Sequence, residues 1–267
     1  MRPNLCLNGY GFRMNPTVLL LAGAYTNSAM WPTSFIHNLV DNGLYVLTMD
    51  YRDCGKNMWD KRSFTMNDIV DDIHHTLLIN RMFSPHLVGA SMGGSVAMRY
   101  ALKYDCKSLV LYATTPGKVL SDPILSPPGS ETIKFLQSEY ELIQCGKIRQ
   151  ALQIRYNYFG NENDSHVREI VNNIIKRGLR SDCYHGNAFV SSNSIVEELK
   201  NIENPTLILH GEHDDLFPID HAWKMHHELE NSKLHILPET NHHFINSDYI
   251  STIISNHIKK KVGWKNL

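Results

Sequence analysis

Residues 86–102 read HLVGASMGGSVAMRYAL. An apolar run suited to a strand buried on both faces breaks into GASMGGS and then resumes with the spacing of a helix. A strand ending at Gly89 and a helix beginning near Gly93 make a sharp turn with Ser91 between them. That is the context a G-x-S-x-G nucleophile elbow demands, and small residues at 89 and 93 allow close backbone approach. The turn also fits a purely structural role, because glycine-rich strand-to-helix turns serve many sheets. A dinucleotide site fits less well: Gly89, Gly93 and Gly94 do not form G-x-G-x-x-G, and the following strand, SLVLYAT, ends on no suitable acid.

Outward from this turn, similar runs recur at 17–23 (TVLLLAG), 44–50 (LYVLTMD), 108–114 (SLVLYAT), 206–211 (TLILHG) and 233–238 (KLHILP). Helical patterns lie between them, over 32–41, 64–80, 93–103, 220–229 and 243–260. This alternation predicts an α/β fold, a mostly parallel sheet flanked by helices, with NLCLNGYGF (4–12) as a candidate edge strand. It stops between about 116 and 204, where two stretches, 123–156 and 167–179, read as amphipathic helices with no strand between them. The expected division is a core of 1–116 and 204–267 with a helical cap, 117–203, inserted after the strand at 108–114. Both ends of the insertion meet the sheet edge where open α/β folds bind ligands, so a lid over a pocket is expected.

With 26 Lys plus Arg against 27 Asp plus Glu, the charge balance names no partner, and nucleic acid is not expected. Five scattered cysteines, Cys6, Cys54, Cys106, Cys145 and Cys183, contain no C-x-x-C pair and fit a reduced, cytoplasmic setting. The opening MRPNLCLNGYGF lacks the basic-then-apolar order of a signal peptide, and the run at 18–24 is too short to span a bilayer. Neither export nor membrane insertion is expected. The basic HIKKKVGWKNL at the C-terminus reads as a solvated helix end.

A serine hydroxyl is a poor nucleophile at neutral pH; it needs a base within reach and donors for the oxyanion its attack creates. LILHGEHDDLFP places Asp214 just beyond a later strand, where a carboxylate can fix a histidine's tautomer; Asp215 is the adjacent competitor. LHILPETNHHF supplies His242, with His243 beside it, after one more strand. A histidine near a strand end is cheap in a chain with 15 of them, and a lone Asp there is more often a turn residue. The order Ser, Asp, His, each at the C-terminal end of a strand, is what carries the reading. For the oxyanion, one N–H should come from Met92, after the serine, and one from the loop after the early strand, by position Ala24, with Tyr25 one residue away.

In chain order, AGAYTNSAMW, MDYRDCGKN, GASMGG, HGEHDDLFP and PETNHHF resemble the α/β-hydrolase superfamily on both flanks of the insertion. The first two segments look most like esterases related to aclacinomycin methylesterase, which act on small or polyketide-derived methyl esters. The resemblance implies Ser91 as nucleophile, His242 as general base and acid, Asp214 as its orienting acid, and the Ala24 and Met92 amides as oxyanion donors, with no cofactor. Two positions depart from the family pattern: the usual His-Gly is Ala22-Gly23 here, and the usual glycine before the histidine is Asn241. Asp50 and Arg52, in DYRDCG, match a turn that supports the scaffold.

Among the remaining constellations, His210, His213, Asp214 and Asp215 lack the spacing of a metal site, so no metal is expected. The aromatic residues Phe135, Tyr140, Tyr156, Tyr158 and Phe159 suit the insertion's own core, with one or two expected to reach substrate. Tyr25 and Trp31 are the candidate pocket residues closest to the proposed centre. The expected function is hydrolysis of a small-molecule carboxylic ester through an acyl-enzyme. Thioester, amide, lactone or C–C hydrolysis and a non-catalytic ligand-binding module are the alternatives, since fold and side-chain set do not fix the bond. The sequence leaves the oligomeric state open.

Overall fold

A computed structural model describes residues 3–57, 63–159, 165–178, 184–243 and 247–259. Cys183 and the basic stretch from 260 onward lie outside the described residues. The strands are β1 (Leu7–Tyr10), β2 (Thr17–Leu21), β3 (Tyr45–Met49), β4 (His86–Ala90), β5 (Ser108–Tyr112), β6 (Thr206–Gly211) and β7 (Ser232–Leu237). Among the described residues they form one seven-stranded sheet in the order β1-β3-β2-β4-β5-β6-β7. Only β1 runs antiparallel, pairing Leu7 with Met49 and Tyr10 with Val46. The strands at the centre are apolar without alternation because helices cover both faces: every residue of β4 and β5 is buried.

The helices beside the sheet are α1 (Thr33–Asp41), α2 (Met66–Ile79), α3 (Met92–Ala101), α8 (Asp220–Glu228) and α9 (Ser247–Lys259). Helix α2 begins with a capping box: the Thr65 hydroxyl accepts from the Asp68 N–H, and the Asp68 carboxylate accepts from the Thr65 N–H. Between β5 and β6 come α4 (Ser130–Gln144), α5 (Ile148–Phe159), α6 (Ser165–Arg177) and α7 (Tyr184–Val190), the expected helical insertion with no strand in it among the described residues. Among the described residues, no helix is long and apolar enough to cross a membrane.

The insertion is tied to the loops that follow β2 and β3. Asn27 donates its side-chain amide to the Ile174 and Gly178 carbonyls at 2.9 and 3.1 Å. The Arg177 guanidinium reaches the fully buried Asp50 carboxylate at 2.7 and 2.8 Å, and Asp50 also accepts from the Ser28 N–H at 3.0 Å. Asp53 receives both the backbone N–H and the Nδ1–H of His185, at 3.1 and 2.9 Å. Arg52 pairs instead with Asp72 of α2 at 2.5 Å, within the core. Asp50 and Arg52 thus tie the scaffold together, the role that the family resemblance implies.

Candidate active site

The turn after β4 has the geometry that GASMGG implies. Ser91 caps α3 with φ 52° and ψ −122°, a region that non-glycine residues enter only when the surroundings hold them there. Its N–H donates to the Tyr112 carbonyl at 2.9 Å, and its own carbonyl accepts from the Gly94 N–H at 2.9 Å and the Thr114 hydroxyl at 2.6 Å. The two glycines of the motif are required by contact rather than by dihedral angle. A Cβ on Gly89 would stand 2.2 Å from the Gly93 oxygen, and one on Gly93 would stand 2.2 Å from the Leu21 oxygen. The bend is therefore pressed against the end of β2, where the loop carrying Ala24 begins.

Asp214 and His242 meet on the neighbouring strand ends. The His242 Nδ1 lies 2.8 Å from the Asp214 Oδ2. Burial alone would raise the Asp214 carboxyl, but His242, His210 and the Phe217 N–H more than offset it and hold its pKa below the ordinary range. An ionised carboxylate only accepts, so Nδ1 carries the proton and Nε2 presents its lone pair. The other carboxylate oxygen of Asp214 accepts from the Leu216 and Phe217 N–H groups at 3.0 and 2.9 Å, which fixes its plane. Asp215, the competitor by sequence, is exposed. His243 turns away to stack on Tyr156 at 4.9 Å between ring centroids, and burial, His242 and Arg155 push its pKa well down.

Ser91 and His242 both face a cavity of about 500 Å³ that also reaches Gly23, Ala24 and Tyr25. Its walls are largely apolar, with Met30, Val119, Leu136, Ile143, Phe189 and Phe217 among them. Helices α4, α5 and α7 supply one side, so the insertion and the sheet edge enclose it together. Asp214 lies behind His242 and is 3% exposed. Met92 is the first residue of α3, so its N–H is one of those a helix leaves without an intrahelical partner. The Ala24 N–H meets no backbone acceptor among the described residues.

Two expectations about the pocket separate. Tyr25 lines the cavity, with φ 56°, and its hydroxyl donates to Asn187 Oδ1 at 3.0 Å. Trp31 does not line it. The short 3-10 turn at Ser28–Met30 rotates Trp31 into the core, where it stacks on Phe35 at 5.2 Å and is 4% exposed. Of the insertion aromatics, Tyr140 reaches the cavity, while Phe135 and Tyr158 stack on each other.

Two features of the site have no sequence signature. His210, buried within β6, donates from Nε2 to the Phe217 carbonyl at 2.8 Å, and burial lowers its pKa, so it underlies Asp214 as a neutral ring. The second is an ion pair inside the cavity: Glu139 of α4 binds the Nε–H of Arg155 of α5, and Arg155 also donates to the Ala24 carbonyl at 2.6 Å. The partners stand 16 residues apart on different helices. Only the packing of α4 against α5 brings them together. Groups able to hold a metal occur in two places among the described residues, buried Asp53, Cys54 and His185, and exposed Glu212, His213 and Glu239. Both oxygens of Asp53 are already taken by His185, so that cluster serves as a tie between α7 and the loop after β3.

A family profile described as the alpha/beta hydrolase family matches residues 18–249, and the chain belongs to this family. Among its curated relatives, the bifunctional esterase/perhydrolase DCH of Acinetobacter calcoaceticus is 27% identical over 274 residues, covering 92% of this chain and 94% of that one. The 2-hydroxy-6-oxo-6-phenylhexa-2,4-dienoate hydrolase of Comamonas testosteroni is 25% identical, covering 84% and 80%. Among solved structures, an esterase from Exiguobacterium antarcticum superposes with a TM-score of 0.82 at 20% identity, over 96% of this chain and 95% of that one. The chain is thus a hydrolase by family, with esterases among the proteins it is similar to.

Proposed function

We propose that the protein is a serine hydrolase that cleaves small carboxylic esters through an acyl-enzyme. The observation that carries this reading is the Asp214–His242 hydrogen bond at 2.8 Å, which leaves His242 Nε2 as an acceptor on the cavity that Ser91 also faces. Ser91 Oγ attacks the ester carbonyl carbon while its proton passes to Nε2. The negative oxygen of the tetrahedral intermediate is held by the Ala24 and Met92 N–H groups, each worth on the order of a hundredfold in rate. Collapse breaks the bond to the alkoxide, which takes the proton from His242 and leaves as the alcohol. Water then gives a proton to Nε2 and attacks the acyl carbon, and its collapse releases the carboxylic acid and restores Ser91. Asp214 stays ionised throughout and stabilises the imidazolium. The insertion at 117–203 acts as a lid that keeps bulk water from the acyl chain.

Labelling with a serine-reactive fluorophosphonate, followed by peptide identification, tests the mechanism. Modification of Ser91, lost in His242→Ala and accompanied by ester turnover, is the expected result. Labelling elsewhere, or full turnover by Ser91→Ala, overturns it.

A second reading is C–C hydrolysis. The dienoate named in the Comamonas testosteroni relative contains a ketone and a carboxylate but no ester, so its hydrolysis breaks a carbon–carbon bond.

A further inference from the structure

The cavity is largely apolar, and Glu139 and Arg155 are its only Asp, Glu, Lys or Arg lining residues among those described. Both are almost fully buried, 2% and 7% exposed. An arginine beside a reaction centre commonly suggests a carboxylate-bearing substrate, because a guanidinium binds a carboxylate through two parallel hydrogen bonds. Here the charge of that arginine is already balanced by Glu139. Glu139 takes Nε, the Ala24 carbonyl takes Nη1, and the Tyr25 ring lies under the guanidinium carbon at 5.6 Å. The pair contributes no net charge, and the Asp214 carboxylate stands behind His242 of the wall. An acid group on the acyl chain would enter without a cation to receive it, and an unpaired buried charge is strongly disfavoured.

Resting on the ester-hydrolase reading, we infer that Glu139 is a specificity-determining residue: by neutralising Arg155 inside the cavity it makes the site select uncharged acyl groups and reject those ending in a carboxylate. The Arg155 hydrogen bond to Ala24 O gives the same pair a second consequence. It fixes the loop whose adjacent N–H is the proposed oxyanion donor, so the residue that sets selectivity is joined to the reacting centre.

The matched compounds are benzyl pentanoate and monobenzyl glutarate, which differ by a methyl group against a carboxylate at the acyl end. In the Ser91→Ala variant, titration calorimetry should give at least about tenfold tighter binding of benzyl pentanoate. The additional change Glu139→Gln removes the charge that balances Arg155 and should raise affinity for monobenzyl glutarate by about tenfold while affecting benzyl pentanoate little. A Glu139→Leu/Arg155→Met pair removes both charges and should retain the preference for the neutral compound, which guards against a single variant that fails to fold. Equal affinities, tighter binding of the carboxylate, no binding of benzyl pentanoate, or a folded Glu139→Gln protein with an unchanged ratio overturns the inference. The hydrolase reading fails separately. If benzyl pentanoate binds selectively but the unmodified enzyme neither cleaves it nor labels at Ser91, selectivity stands and ester hydrolysis falls.

Discussion

Two serine–histidine pairs stand at the two ends of β4. At its start, His86 Nδ1 and the Ser108 hydroxyl are hydrogen-bonded at 2.7 Å across register partners on β4 and β5. At its end stand Ser91 and His242. The first pair makes the better-defined contact and yet has none of the other requirements. Both residues are buried in ordinary strand backbone, 2% and 1% exposed, away from the described cavity, and no carboxylate orients the ring among its described bonds. The second pair has a sharp turn, an ionised carboxylate and a 500 Å³ space for a reactant. A serine beside a histidine is therefore structure; a serine aimed into a cavity beside an oriented histidine is chemistry.

The sharpest break between the pairs comes from the serines. Ser91→Ala should lower ester kcat by at least about 10⁴-fold, whereas Ser108→Ala should leave it within about threefold, both read on protein of unchanged circular dichroism. Asp214→Asn should cost about 10³- to 10⁴-fold by disturbing the His242 tautomer, and Asp215→Asn under about threefold. A result reversing these two would relocate the orienting acid. His243→Asn should cost less than about tenfold in kcat, because it stacks on Tyr156 and Asp214 reaches its neighbour.

Stability separates the ends of β4 in the same way. Gly93→Ala should lower the unfolding free energy by roughly 2 kcal/mol or more in a urea titration, since the added carbon meets the Leu21 carbonyl. The start of β4 should also show in the pH dependence of stability. Burial, then Lys107 and His257, pull the His86 pKa from 6.5 to about 4. Below pH 6.5 the unfolded chain takes up a proton that the folded protein refuses until near pH 4, so stability falls through that window by roughly 3 kcal/mol. Melting temperatures of His86→Asn across the same range should show a shallower acid limb; an unchanged limb would assign the effect to other groups.

The contrast also explains what was legible in the sequence. Apolar runs gave the central strands to within a residue or two because these strands are buried on both faces, and the chain order of Ser91, Asp214 and His242 follows from their shared position at the strand ends. Of the final helix expected from 243, Ser247–Lys259 is helical among the described residues, whereas His243 stays with His242 in the loop after β7. Trp31 was misplaced because sequence nearness to the Ala24 loop says nothing about the rotation introduced by a 3-10 turn. Glu139 and Arg155 were silent for a deeper reason. Their meaning lies in how α4 packs on α5, and helical periodicity specifies which face is apolar, not which buried charge finds its partner.

The Arg177–Asp50 contact bears on how such enzymes diversify. Asp50 belongs to the sheet's own loop and is fully buried, while its cation comes from the end of α6. Exchanging the insertion for that of a relative would thus leave an anion stranded in the host unless the guest brings a base to the same spot. In this chain the insertion and its host are matched through that one arginine.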